Sequence, residues 1–205
     1  MHEVLILHAP LAGAGEDVRA DSLSLRLPYA RRLELARRDP AARLASLAGV
    51  ALALAGAARL RGGLVEPGQL RFPAGGKPSL ADGPSFSIAH SATRVAVAIS
   101  DDCEVGLDLE DVAAALDDAK SMARLRRWTA IEAALKAVGA PLRSVGRLRM
   151  GDDLSTACFA GLDLNLHSIA IAADCVARLA TQARIVDVEV ERIPVPWSCV
   201  APPAM

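Results

Sequence analysis

Hydrophobic positions along this chain alternate between short aliphatic runs and longer Ala/Leu-rich segments. Val4-Leu5-Ile6-Leu7 is an unbroken aliphatic run, the pattern of a buried strand. Leu27 to Arg38 is Arg-rich, with Pro28 acceptable as an early helix residue. Asp39-Pro40 reads as an N-cap followed by a first-turn proline. It opens a helix to about Leu60 that Gly62-Gly63 stops. Phe72 to Pro78 is a turn-rich loop. Phe86 to Ser91 and Val95 to Ile99 read as two strands joined by a turn near Ala92-Thr93. Val105-Gly106-Leu107-Asp108-Leu109-Glu110 alternates with period two, as a strand does. A helix is strongest from Met122 to Val138, with an apolar stripe of Leu125, Trp128, Ile131, Leu135 and Val138 and a stop at Gly139. Later strands are expected at Leu162–Leu166, His167–Ala172 and Ile185–Arg192, followed by an irregular tail from Pro194.

The pattern repeats. Ile88-Ala89-His90-Ser91 with Val95 to Ala98 resembles Asn165 to Ala172 with its turn compressed, and a long helix and a Gly-containing loop precede each. The expected fold class is α+β; the echo fits two similar halves, and short alternating strands can also produce it by chance. Such halves would divide the chain at 1–101 and 104–205.

Composition narrows the class. The chain has 205 residues, enough for one sizeable core or two small ones. Its 23 basic and 24 acidic side chains leave a net charge of -1, which argues against a generally basic nucleic-acid binder. Cys103, Cys158, Cys175 and Cys199 lack C-x-x-C spacing and are too sparse for a disulfide scaffold. They read as buried free thiols in a reducing cytoplasm. The N-terminus carries no signal-peptide pattern. The longest nearly apolar run, Leu44 to Ala58, is shorter than the ~20 residues needed to span a bilayer. These features predict a cytoplasmic protein with neither membrane nor nucleic-acid partners.

The balanced net charge conceals two opposite regions. Residues 19–61 hold nine Arg against Asp21, Glu34 and Asp39. Residues 101–118 hold eight acids and no Lys or Arg. Within that acidic run, Asp108 and Glu110 lie two apart in an aliphatic strand, so both carboxylates share one sheet face. They repel unless a cation or basic group lies between them, and oxygen-only ligation favours Mg²⁺. Glu132 and Lys136 follow Trp128 at four-residue intervals on one helix face. Taken alone they are an ordinary exposed ion pair; taken with Asp108 and Glu110 they supply a third carboxylate and a phosphate-seeking ammonium. Gly76-Lys77-Pro78 places a lysine on a rigid loop but lacks the spacing of a Walker A loop. Only three cations are lysines, and two of them, Lys77 and Lys136, fall in these motifs.

In order, Gly76-Lys77-Pro78, Phe86 to Ser91, Val105 to Glu110 and Trp128-x₃-Glu132-x₃-Lys136-x₂-Gly139 resemble the 4′-phosphopantetheinyl transferase superfamily. The likeness is to its larger monomeric branch, which activates peptide and polyketide synthases, and covers about residues 72–140. The resemblance implies a pseudo-twofold duplication of two similar α+β halves with coenzyme A in the cleft between them, Mg²⁺ held by Asp108, Glu110 and Glu132, and Lys136 on the departing phosphate. It also implies that Lys77, Pro78, His90 and Ser91 contact coenzyme A, together with Arg43 and with Arg31 or its neighbour Arg32. The implied reaction moves phosphopantetheine to a serine of an acyl or peptidyl carrier protein, with Glu132 as base, and releases adenosine 3′,5′-bisphosphate. The alternative is a degenerate binding module of the same fold. Two departures bear on that choice: Ile131 stands where the family usually has a lysine, and only residues 111–127 separate Glu110 from Trp128. Internal duplication makes a monomer the economical expectation.

Overall fold

A computed structural model of the chain describes residues 2–11, 18–112, 118–184 and 186–197. In chain order its elements are β1 (His2–Pro10), α1 (Val18–Arg26), α2 (Tyr29–Ala36), α3 (Pro40–Arg61), β2 (Leu70–Arg71) and β3 (Ser79–Leu80). They continue with β4 (Ser85–His90), β5 (Arg94–Ser100), β6 (Val105–Asp111), α4 (Ala119–Ala137) and β7 (Leu148–Met150). Last come β8 (Thr156–Phe159), β9 (Leu162–Ile169), β10 (Cys175–Thr181) and β11 (Val186–Arg192). The chain is mixed α+β. One sheet has the order β11-β1-β5-β4, a second has β6-β10-β9-β8-β7, and β2 pairs with β3 alone.

Strand periodicity builds the layers. In β1, Leu5, Leu7 and Ala9 face α3, where they pack with Leu47, Val50, Leu54 and Val97. The intervening Val4 and Ile6 face the second sheet and join Val105, Leu107, Leu109, Ala177 and Leu179. On the far side of that second sheet, Ala130, Ala133, Ala134 and Ala137 of α4 pack on Leu164, Leu166 and Ala180. The order is therefore α3, first sheet, second sheet, α4. Both sheets share one connectivity: a strand, a helix, then two strands, the last lying antiparallel between the other two. It runs β1-α3-β4-β5 in the first sheet and β6-α4-β9-β10 in the second.

The helix ends follow their sequence signals. The Asp39 side chain accepts from Ala42 N at 2.9 Å, and Gly62 ends α3 in the left-handed region at φ 67°. Asp118 caps α4 by accepting from the backbone N–H of Lys120 and Ser121, both at 2.8 Å, so this helix begins three residues before Met122. Gly139, at φ 64°, stops it. Helix α3 is the one described helix long and apolar enough by composition to cross a membrane. Because 67% of that apolar stretch is buried within the protein, it serves as a core helix.

Several expectations are corrected. Pro28 is the N-cap of α2 rather than an early residue within it. Leu162–Leu166 and His167–Ala172 are not two strands; one strand runs Leu162–Ile169 through His167. Helix α1 and strands β7, β8 and β10 were not anticipated. In β10 both faces carry apolar residues, which erases the alternation, while β7 and β8 are only three and four residues long. In α4 the buried face is not the stripe Leu125/Trp128/Ile131/Leu135/Val138. Of those five only Leu135 is buried, Trp128 is 40% exposed, and the contact with the sheet is made by alanines. The three described cysteines are free but half-buried rather than buried, and Cys199 lies outside the described residues. Finally, the last described strand lies in the first sheet: β11 pairs parallel with β1, and Trp197 is buried in the α3 core.

Candidate functional site

The site grows from one close approach. A Cβ placed on Gly106 of β6 would lie 2.1 Å from Ala133 O and 2.2 Å from Ala137 N of α4. Only glycine lets the helix backbone settle on the strand there. With the backbones so near, residues on the shared face of β6 meet the flank of α4. Asp108 has a side chain only 5% exposed, and Lys136 donates from Nζ to its Oδ1 at 2.5 Å. Lys136 Nζ also lies 3.6 Å from Glu132 Oε2, one turn earlier. Asp108 Oδ2 is buried and has no hydrogen-bond partner.

Burial dominates the electrostatics of this cluster. It pushes the Asp108 carboxyl up to about 7; Lys136 opposes the shift, while the charges of Glu132 and Glu110 add to it. Glu110 is raised by burial and then by Glu132, against Lys136 and the Trp128 indole N–H. Three carboxylates thus crowd around one ammonium. Among the described residues, no three His, Cys, Asp or Glu side chains are already gathered as a metal-binding group. The donor set still suits a hard divalent cation: the raised carboxyls of Asp108 and Glu110, Glu132 beside them, and a buried oxygen with no donor.

A cavity of about 210 Å³ adjoins the cluster. Its walls are the loop Gly75–Pro78, Ser87 and Ile88 of β4, and Lys136, Gly139 and Ala140 at the end of α4. Three of the four sequence motifs therefore converge on one space, and the fourth, Val105 to Glu110, supplies the carboxylates beside it. A larger groove of about 630 Å³ crosses β7, β8 and β9, but it touches none of these residues.

Other expected site residues have partners of their own. Lys77 Nζ donates to Ser85 Oγ (2.8 Å), Glu104 Oε2 (2.7 Å) and Val105 O (2.8 Å), so all three ammonium hydrogens are engaged. Lys77 thereby ties the loop to the seam between the sheets. Burial lowers its pKa, with Glu104 opposing. Pro78 lines the cavity. Ser91 donates to Asp111 Oδ1 at 2.7 Å, and Thr93 binds the same carboxylate through both its backbone N–H and its hydroxyl. His90 ends β4. The surrounding protein, then the charges of Lys136 and Arg38, hold its imidazole below the ordinary value and so favour the neutral form. Arg31 stacks over Phe72 at 4.8 Å, pairs with Glu34 at 2.6 Å and keeps a buried Nε without a partner, so α2 leans on the cavity loop. Arg43 does not reach the cavity lining; it pairs with Asp21 at 2.6 Å.

Sequence reasoning missed the seam. Ser87 Oγ accepts from Leu107 N at 2.9 Å and Ser85 Oγ from Val105 N at 3.3 Å, so small hydroxyls bring β4 onto β6. The signal was present as serines two apart in a strand whose other positions, Phe86 and Ile88, are large. Arg38, close enough to His90 to depress it, carried no signal beyond its charge. Residues 113–117, within the short segment noted above, lie outside the described residues. Compared with protein-family models and with curated proteins, the chain matches none.

Proposed function

We propose that the chain is a divalent-metal-dependent 4′-phosphopantetheinyl transferase with two duplicated α+β halves and its active site at their junction. The observation that carries this reading is the convergence of Gly75–Pro78, Ser87–Ile88 and Lys136–Ala140 on one cavity beside the buried Asp108–Lys136–Glu132 cluster. The shared connectivity of the two sheets supports duplication.

In this reading coenzyme A enters the cavity, with Arg31, Arg38 and neutral His90 on the adenosine side. Asp108, Glu110 and Glu132 would hold Mg²⁺, which when bound neutralises the pyrophosphate oxygens. The Oγ of a carrier-protein serine attacks the phosphorus that bears pantetheine, and its proton passes to Glu132. The bond to the second phosphate breaks. Its electron pair leaves on the oxygen of adenosine 3′,5′-bisphosphate, where the Lys136 ammonium meets the growing charge. The test is incubation with coenzyme A, Mg²⁺ and a panel of apo carrier proteins, read by the mass of the added arm. Glu132→Gln and Asp108→Asn should each cut the rate at least about 100-fold, the range typical of removing a general base or a charge-stabilising group. Unchanged labelling in both variants sinks the mechanism.

A second reading is a binding module for coenzyme A or a carrier protein without transfer. Two observations favour it: Lys77 has no free donor for phosphate, and Ile131 offers no second cation beside Glu132. Calorimetry that finds Mg²⁺-dependent coenzyme A binding, with no mass gain on any carrier, selects it.

A further inference from the structure

Lys136 borders two places at once. Its ammonium lies on Asp108 and near Glu132, while its side chain also forms part of the wall of the 210 Å³ cavity. Resting on the metal-dependent reading above, we infer that Lys136 is an internal counter-ion that competes with a divalent cation for Asp108. Loading of the cation releases the ammonium into the cavity.

The argument is charge balance in a desolvated place. Asp108 is nearly enclosed, and an ionised carboxylate there needs a cation in contact, so Lys136 cannot leave unless another cation arrives. Conversely, a divalent ion on either oxygen of Asp108, the unpartnered Oδ2 included, would stand close to that ammonium, and two cations repel strongly in a desolvated place. The two occupants therefore compete for the one carboxylate through their charge. Exchange leaves the lysine beside the cavity, because Lys136 already forms part of its wall together with Gly139 and Ala140. At Gly139 an added Cβ would touch only Lys77, at 3.5 Å, so this end of the helix brings little side-chain bulk into that space. Lys77 cannot take the same role, since its three donors are fixed at the seam. A compact ammonium on a flexible stem suits such a two-place duty better than a broad guanidinium. The consequence is an ordered site: the cavity gains its free cation only after the carboxylates have gained theirs.

The test uses the whole chain, Mn²⁺ as probe and no coenzyme A. Binding is followed by the loss of the free-Mn²⁺ paramagnetic resonance signal. Lys136→Met, which keeps bulk and removes charge, should bind Mn²⁺ at least tenfold more tightly than the unaltered protein, with Lys136→Gln as the second variant. Arg59→Ala, which removes a cation paired with Glu189 and Glu191 away from the cluster, should shift affinity by less than threefold. In the unaltered protein, reductive methylation read by peptide mass should rise several-fold at Lys136 on Mn²⁺ saturation and stay constant at Lys77. Equal or weaker Mn²⁺ binding in both Lys136 variants overturns the inference, as does absence of Mn²⁺ binding in every protein. So does Lys136 reactivity that does not rise with Mn²⁺, whatever the variants do. Release without transfer to any carrier protein removes the transferase reading alone; transfer without release removes the counter-ion exchange alone.

Discussion

Helices α3 and α4 occupy the same place in two sheets of the same connectivity, yet they are built differently. Helix α3 meets its sheet through Leu47, Val50 and Leu54, and twelve of its residues are buried. Helix α4 meets its sheet through four alanines lying on a glycine, and its flank carries Glu132 and Lys136 against a buried aspartate. Large side chains hold a helix away from a sheet; alanines let it close in. The first arrangement maximises apolar burial and makes a scaffold. The second gives up burial for proximity, and that proximity joins charges on separate elements into a site.

Glycine substitutions break this contrast most sharply. At Gly106 an added methyl meets backbone atoms of Ala133 and Ala137, which cannot rotate away. Gly106→Ala should therefore lose about 3 kcal/mol or more, by overpacking that only backbone movement relieves. At Gly49 in α3 the added methyl meets Ile88 Cγ2 at 2.3 Å, a branch methyl that must turn about χ1 to make room, rather than backbone. There the overpacking costs about 1–2 kcal/mol, and the better helix propensity of alanine returns up to about 1. Urea denaturation should place Gly49→Ala within about 1 kcal/mol of the unaltered protein and Gly106→Ala far below it. Equal losses at both positions would remove the distinction between scaffold and site.

Lys77 tests the seam that joins the two regions. Lys77→Met strips three donors at once and leaves Glu104 with Ser85 as its only named partner. A charged hydrogen-bonded group of this kind is worth about 2–3 kcal/mol. Arg43→Met breaks an exposed pair with Asp21 and should cost less than about 1 kcal/mol. Both losses are read from denaturation midpoints at unchanged slope. A Lys77 variant as stable as the Arg43 variant would mean that the loop and the second half are held by apolar contact alone.

The same contrast explains what could be read from the sequence. Elements with a strong local signal were legible: Asp39-Pro40 and Gly62 bound α3, and the alternation in Val105 to Glu110 marked β6 and the one face its carboxylates share. Asp108, Glu132 and Lys136 were legible as a set because strand and helix periods assign each to a face. Which face of α4 is buried was not, because hydrophobicity ranks Trp128 and Ile131 above alanine, whereas the close approach at Gly106 selects the smallest residues. Nor could a lone sequence reveal that Lys77 is saturated. Its partners, Ser85, Glu104 and Val105, are gathered by the packing of β4 on β6 rather than by any local spacing.

The smallest expected effect concerns pH and isolates the buried carboxylate. Asp108 is held at about 7 in the fold, mainly by burial, against an ordinary value near 3.8. Between those values the folded protein binds more protons than the unfolded one, so this group's contribution to stability falls as pH rises from about 4 to about 7 and is flat above. His8, His90 and His167, whose pKa values burial lowers, contribute with the opposite sign below pH 6.5, so the unaltered protein's own pH curve mixes the two. Asp108→Asn separates them. The stability of the Asn variant relative to the unaltered protein should climb across that window by on the order of 1–2 kcal/mol once the site relaxes around the charge. Thermal melts in chelator from pH 4 to 8 measure the difference. Parallel curves would show that Lys136 fully compensates the buried charge, leaving α4 as much a scaffold as α3.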